Sequence, residues 1–344
     1  MEIVEATNEH AAAWDEFVLN APGATFYHQY KWKTALELAY RVRTHYCIAM
    51  QGRQVRGVLP LAEVRSLSGR QALVSTPYAN YGGILADDDE IEAALLAHGR
   101  SLIEKVQARR LELKSLLRAE HAELAELLEY FSLVMKLDPD PEVVWKGELN
   151  AKVRNQVRKA EKSGVTVETG VRHFRSFIDI LRLNLRDHGT PTHAVRWHMA
   201  LSELFGDQME VSTAFVDGQP VAGVWLFFFR DTAIAHCGAS CREHLRLCPN
   251  NLAYWNAIKL ACERGCRHFD FARSRRTAGT FHFKKQWGAT PRQIYYQYFL
   301  RPGEEVPDMN PDDPKYKLAV TMWRHLPLGV ANWLGPILRS RIST

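Results

Sequence analysis

The sequence lacks most of the features that would place it at a glance. No run of about 18 uncharged apolar residues occurs, so no segment reads as a membrane span. The amino terminus, MEIVEATNEH, is polar and acidic, without a basic region or an apolar core, and no secretion signal is expected. Six cysteines in 344 residues are too sparse for a disulfide framework and fit reduced thiols in a cytoplasmic protein. Cys237/Cys241 and Cys262/Cys266 form two C-x3-C pairs with Cys248 between them. Four thiolates can hold zinc, but Cys237 falls in an apolar strand and Cys262 in an apolar helix, the usual surroundings of buried thiols, so no metal is expected. Absent too are a strand-following GxGxxG and any GxxxxGK[ST], HExxH or GxSxG, which removes the commonest nucleotide, zinc-protease and hydrolase readings.

What is present is enough for globular structure. With 46% apolar and 24% charged residues, the chain can bury two cores. Its net charge of +5 is mild. That excludes a nucleic-acid coat, and no DNA partner is expected, yet local clusters can still steer an anionic substrate. One such cluster is FDFARSRRTAGTFHFKKQWGA (269–289), with five Arg or Lys side chains from Arg273 to Lys285 and no carboxylate after Asp270.

The chain reads as two copies of one unit. GRQVRGVLPL (52–61) and GQPVAGVWLF (218–227) share G-x-x-V-x-G-V, and each follows an apolar strand through a turn at Gln51-Gly52 or Asp217-Gly218, as hairpins do. A further strand, a helix and another strand follow in each half. The first helix has an acidic start and a basic end; the second opens at Pro249 and stops at Gly265. Hairpin, strand, helix, strand, twice over, predicts an α/β fold of two tandem domains, each a mixed sheet flanked by helices, because each helix joins two parallel strands. The break falls in DPDPEVVW (138–145). Domains are expected at 1–140 and 141–303, with a helical tail at 304–344. The tail carries apolar and basic residues and breaks at Pro327 and Pro336; it reads as a cap on the second domain, with peripheral contact to a membrane surface as the alternative.

Several residues could carry chemistry. In the basic block, Gly279 permits close backbone approach to a ligand. Lys284 and Lys285 sit in a strand-like run where neighbours face opposite ways, so one of the two should enter a pocket. Arg273 follows the end of a strand, where α/β sheets bind ligands. In LRLNLRDHGTPTH, His188 beside Asp187 could be a general base with its orienting carboxylate, and Arg186 and Thr190 could touch substrate; a helix end with a turn is the plain alternative. In STPYANYGG, Tyr81 could hydrogen-bond a substrate. Arg154 and Arg158 lay cations along one face of a basic helix. The R-x-x-G-x-G/A loop by which ordinary acetyl-CoA-dependent N-acetyltransferases grip pyrophosphate is missing; its place reads LRLCPNN.

Together YHQYKW, STPYANYGG, AKVRNQVRKAEKSGV, RDHGTP, LCPNNLAYWNAI and the basic block resemble the FemAB-like proteins, and most nearly their exosortase/PEP-CTERM-associated branch, over residues from about 20 to 300. The resemblance implies two tandem GNAT-like (acyl-CoA N-acyltransferase-like) domains and an acyl or aminoacyl transferase acting on the amine of a peptidoglycan or exopolysaccharide precursor. The donor would be aminoacyl-tRNA or acyl-CoA, with no resident cofactor. Partners would be a small-molecule or lipid-linked saccharide precursor and charged tRNA, at the inner face of the cytoplasmic membrane. Lys284, Lys285, Asp187 and His188 would be catalytic. Tyr81, Arg154, Arg158, Arg186, Thr190, Asp270, Arg273, Ser274 and Gly279 would line the substrate groove. Two family features are absent: the coiled-coil arm, and a lysine four residues after the first-domain tryptophan, where Leu36 stands. Direct attack in a ternary complex is expected, since no nucleophilic Ser or Cys constellation is visible.

Overall fold

A computed structural model of the chain describes residues 1–307 and 314–342; tail residues 308–313 and 343–344 lie outside the described residues. The first half comprises β1 (Glu2–Glu5), α1 (Ala11–Asn20), α2 (Lys31–Tyr40), β2 (Thr44–Gln51), β3 (Gln54–Arg65), β4 (Gln71–Ser75), β5 (Leu85–Ala86), α3 (Asp89–Lys105), β6 (Arg110–Ser115) and β7 (Ala125–Lys136). The second comprises α4 (Pro141–Gly147), α5 (Ala151–Lys162), β8 (Thr166–Thr169), α6 (Phe174–Asp187), α7 (Val195–Leu204), β9 (Met209–Val216), β10 (Gln219–Phe229), β11 (Thr232–Ser240), α8 (Pro249–Glu263), β12 (His268–Arg275), α9 (Gly279–Lys285) and β13 (Thr290–Leu300). The tail forms α10 (Pro314–Arg324) and α11 (Leu328–Arg339).

Local chemistry explains most of these boundaries. Asp217 (φ 49°) and Gly218 (φ 75°) are both left-handed, as a two-residue hairpin loop requires, and close β9 onto β10. Asp88 caps α3 by accepting from the Ile91 amide at 2.9 Å, and Asn150 caps α5 by accepting from the Val153 amide at 2.9 Å. Gly265, at φ 74°, ends α8 in the left-handed conformation.

Each half has one parallel strand pair, β4 with β6 and β11 with β12, joined through α3 and α8 respectively. The halves do not form separate sheets. Among the described residues the strands make one 13-stranded sheet, in the order β1-β2-β3-β4-β6-β13-β7-β12-β11-β10-β9-β8, with β5 beside β3. The last strands are exchanged: β7 of the first half lies between β12 and β13 of the second, and β13 pairs with β6 of the first. The sheet therefore continues across the boundary expected at 138–145.

Alternation along the strands feeds two faces. On β10, Trp225 and Phe227 join a core that spans both halves, while Val224 and Leu226 face a second core under α5 and α8. In the shared core Phe26 stacks on Phe227 (centroids 4.1 Å apart) and Trp32 meets Trp197 edge-on at 5.2 Å.

The tail packs over this junction. Arg186 donates to the Leu326 carbonyl at 3.1 Å, and the Tyr78 hydroxyl to the Ser340 carbonyl at 2.9 Å, so the cap touches both halves. Gly189 and Gly335 allow the contact: a Cβ on either would stand 2.5 Å from Val320 Cγ1 or 3.0 Å from Thr192. Pro327 separates α10 from α11, but Pro336 lies inside α11 and does not end it. The outer face leaves Leu318, Met322 and Trp333 exposed, Trp333 at 70%. No described helix is long and apolar enough to cross a membrane.

Candidate active site

The site begins where β11 and β12 part. Their register ends at Ile234↔Asp270; β11 runs on to Ser240, whereas β12 bulges between Asp270 and Arg273 and follows β7. Ala272 takes φ 59° there. Such a bulge releases backbone carbonyls from the ladder, and buried carbonyls need donors. Lys284 supplies them: its Nζ donates to the carbonyls of Ala272 (3.0 Å) and Arg273 (2.9 Å).

Lys284 does so from a helix. The strand-like run expected at TFHFKK is α9, which buries Phe281 and Lys284 at a spacing of three, and the turn after it buries Trp287. A six-residue run with Phe281 and Phe283 satisfies the strand period equally well, and packing of Trp287 against Phe271 and Tyr254 decides for the helix. Helical spacing turns Lys285 outward; it is exposed and lines neither cavity described below, which removes it from the site. Burial pulls Lys284 down to about 7, with Asp270 opposing and Arg273 reinforcing the shift.

Two cavities adjoin this point. The larger, about 770 Å³, is lined by Asp187 and His188 at the end of α6, Gly238 to Ser240 of β11, Asn250 and Tyr254 of α8, Gly279 and Lys284 of α9, and Arg324 of α10. The smaller, about 150 Å³, is lined by Thr190, Arg273, His193, His198, His236 and Arg339 among others. They share walls, since β11 gives His236 and Cys237 to one and Gly238 to the other, and α6 gives Leu185 to one and Asn184 to the other.

The remaining expected residues divide. Asp187 and His188 both reach the larger cavity, but not as a pair: Asp187 is bound to Arg186 Nε at 2.7 Å, and the His188 Nδ1–H donates to the Asn184 carbonyl at 2.7 Å. That bond orients the ring and leaves Nε2 as the nitrogen that can take a proton. Arg186 is spent on Asp187 and the tail and lines neither cavity. Ser274 is buried and donates to the Thr280 hydroxyl at 3.2 Å, one shell behind the larger cavity. Arg154 and Arg158 are away from both cavities: Arg154 donates to the Trp145 carbonyl at 3.3 Å and to that of Leu149, and Arg158 lies over the Trp145 ring at 5.5 Å. Spacing places such cations on one helix face but does not say what the face meets.

Tyr81 and Asp270 are joined to each other, not to a cavity. Asp270 accepts from the Tyr81 and Ser132 hydroxyls and from the Ala272 amide at 2.7 Å, so both of its oxygens are occupied and it is not free as a base.

Sequence reasoning missed His193, His198, His236 and Arg339. His193 lies two residues before α7 and Trp197 in its first turn, and only folding brings the tail's Arg339 beside them. Burial lowers His198 and His236 to about 3, so both rings are neutral. Among the described residues no group of His, Cys, Asp and Glu suits a metal ion, and the six thiols are unpaired.

Comparisons with known proteins agree with this architecture. Residues 148–285 match the family described as "Acetyltransferase (GNAT) domain", a stretch that includes the strand parting, α8 and Lys284. No curated protein sequence matches. Among solved structures the chain is similar to FemX (14% identity, 93% of this chain and 100% of that one, TM-score 0.65). It is similar to a conserved protein of unknown function from Bacteroides thetaiotaomicron (10% identity, 88% and 100%, TM-score 0.58). It is also similar to a tandem GNAT protein from the clavulanic acid biosynthesis pathway (13% identity, 86% and 97%, TM-score 0.56). The chain has a tandem GNAT fold, similar to FemX over 93% of its length, and residues 148–285 match the GNAT acetyltransferase domain.

Proposed function

We propose that the chain transfers an acyl or aminoacyl group to an amine acceptor in the larger cavity, by direct attack in a ternary complex. One observation carries this reading: Lys284, buried at the cavity wall, has two of its N–H groups on backbone carbonyls and a third left for a substrate oxygen. The acceptor nitrogen attacks the carbonyl carbon of an ester or thioester donor. A tetrahedral oxyanion forms and is stabilised by that third N–H. His188 Nε2 takes the amine proton; the C–O or C–S bond then breaks and the leaving group departs as the protonated alcohol or thiol. Asp187, at the rim of the same cavity, holds Arg186 and so steadies the docking of the tail.

The finer reading is a FemAB-like enzyme of the exosortase/PEP-CTERM-associated kind, acting on a peptidoglycan or exopolysaccharide precursor. Its supports are the sequence resemblance and the whole-length likeness to FemX. An acyl-CoA-dependent N-acyltransferase on an amino sugar is the second reading, favoured by the GNAT domain match across the cavity walls. Against it, the segment between β11 and α8 is a 3-10 turn, Arg242–Leu247, where the glycine-rich pyrophosphate loop would stand. Labelled acetyl-CoA and charged tRNA, each offered with amine-bearing saccharide precursors, separate the two. Transfer with neither donor, under conditions where the precursor binds, would leave only a binding module.

The tail supports work at a membrane surface. From residue 314 onward it has five Lys or Arg and no Asp or Glu, and it exposes Leu318, Met322, Trp333 and Ile337. Exposed apolar side chains on a segment of net positive charge suit an anionic bilayer, where lipid-linked precursors reside.

A further inference from the structure

The smaller cavity holds an electrostatic imbalance that the transfer reading does not use. Arg273 of β12 and Arg339 of α11 both line it, and none of the side chains lining it is a carboxylate. Among the described residues neither guanidinium has an acidic partner within salt-bridge distance. Arg273 donates to the Tyr296 hydroxyl and lies over the Tyr130 ring at 5.1 Å. Arg339 donates through Nε to His193 Nε2 at 2.9 Å, which fixes that nitrogen as acceptor and puts the His193 proton on Nδ1, toward Tyr40. Among the described residues its terminal nitrogens meet no carboxylate.

Enclosing Arg339 without a carboxylate beside it is costly, whereas for Arg273 the cost of burial is outweighed by Tyr296, Tyr130 and the Glu112 charge; both stay charged because arginine does not readily give up its proton. Burial, with the Arg273 charge adding to it, brings Arg339 only to about 10. The rest of the lining points the same way. His198 is buried and neutral, and both of its ring nitrogens lack a partner. Thr190 and Asn80 add a hydroxyl and an amide. Planar guanidinium forks match the oxygens of phosphate and carboxylate and bind them through paired N–H···O bonds. At about 150 Å³ the space takes a group the size of several waters.

We infer that this cavity is an anion subsite in which Arg273 and Arg339 together grip a phosphoryl or carboxylate group, so that the C-terminal tail completes a ligand pocket. Because it shares walls with the larger cavity, the anion would be part of the acceptor; that clause alone rests on the transfer reading.

The test uses the full chain with inorganic phosphate, methyl phosphate, sodium acetate and sodium chloride at matched ionic strength. Trp197 and Trp225 line the cavity, so their fluorescence reports its filling. A saturable change and a rise in Tm are expected with phosphate or acetate over chloride, and whichever probe binds more tightly assigns the anion. Arg339→Gln is expected to weaken the dissociation constant at least tenfold while raising the Tm of the ligand-free chain, because it removes an uncompensated cation. A merely structural Arg339 would lower that Tm. Arg339→Lys keeps the charge, loses the fork and should lose most of the affinity. Lys284→Met should bind these anions like the native chain even if it transfers nothing, which separates failure of this subsite from failure of the transfer reading. No anion-specific response over chloride in the native chain, or equal affinity in native chain and Arg339→Gln, overturns the inference.

Discussion

The Tyr81 hydroxyl donates to the Asp270 carboxylate across 189 residues of sequence, tying the loop after β4 to the strand that forms the wall of the second-half site. Ser132 of β7 donates to the other oxygen, so three segments meet on one buried carboxylate. Tyr81→Phe is expected to cost about 1–3 kcal/mol, the usual penalty for leaving a buried polar group short of a partner. Urea denaturation measures it. A rise in KM with unchanged stability would instead make Tyr81 a substrate contact.

Lys284 and Lys285 are neighbours with opposite fates, one buried and one exposed. Lys284→Met should lower kcat by about 10²–10³, the scale of losing one oxyanion donor. Lys285→Ala should leave kcat within about twofold and stability within about 0.5 kcal/mol. Steady-state kinetics on both variants, with circular dichroism to confirm folding, decides between them; equal losses would move the chemistry away from Lys284.

The lowered pKa of Lys284 has a definite sign. Folded, it sits at about 7; unfolded, near the ordinary 10.5. Between those values the unfolded chain binds more protons, so the native state gains stability as pH rises from about 7 to 10.5 and bears the full penalty below 7. Comparing the pH dependence of Tm in native chain and Lys284→Met should show a one-proton difference in that window. Transfer should run the other way, kcat falling above about 7 as the third donor loses its charge. In Lys284→Arg the remaining activity should lack that alkaline limb.

His198 and His236, both lowered to about 3, act on the acid side. Unfolded imidazoles take protons near 6.5 and the folded ones do not, so stability falls as pH drops from about 6.5 to 3. His198→Phe should flatten acid unfolding over that range by about one proton. An unchanged acid transition would mean that His198 is accessible to solvent protons in the native state.

Among the described side chains of the tail, Trp333 is the most exposed aromatic. Co-sedimentation of the full chain with phosphatidylglycerol vesicles is expected, and not with phosphatidylcholine vesicles. Trp333→Ser with Ile337→Ser should abolish it without moving Tm. Equal binding by that double variant would show that the apolar face takes no part.

Local pattern was enough for the repeated unit. The G-x-x-V-x-G-V hairpins, the Asp-Gly turn, the acidic start of α3 and the Gly265 stop are all short-range chemistry: left-handed turns, caps and dipoles act within a few residues, so they can be read where they stand. Lys284 was legible as a residue of interest, because uncompensated charge is visible in composition alone. Its direction was not. Six residues fit both the strand and the helix period, and packing of Trp287 made the choice. The exchange of β7 and β13 lay further out of reach. Antiparallel pairing depends on which edges meet in space, and no local signal says that a strand from 125–136 will lie between two strands that begin beyond residue 260. The same holds for the smaller cavity. Arg273, the histidines near 193 and Arg339 were each readable as polar or charged residues, but a charge becomes a binding group only when folding encloses it without a partner, and that enclosure is a property of the tertiary structure alone.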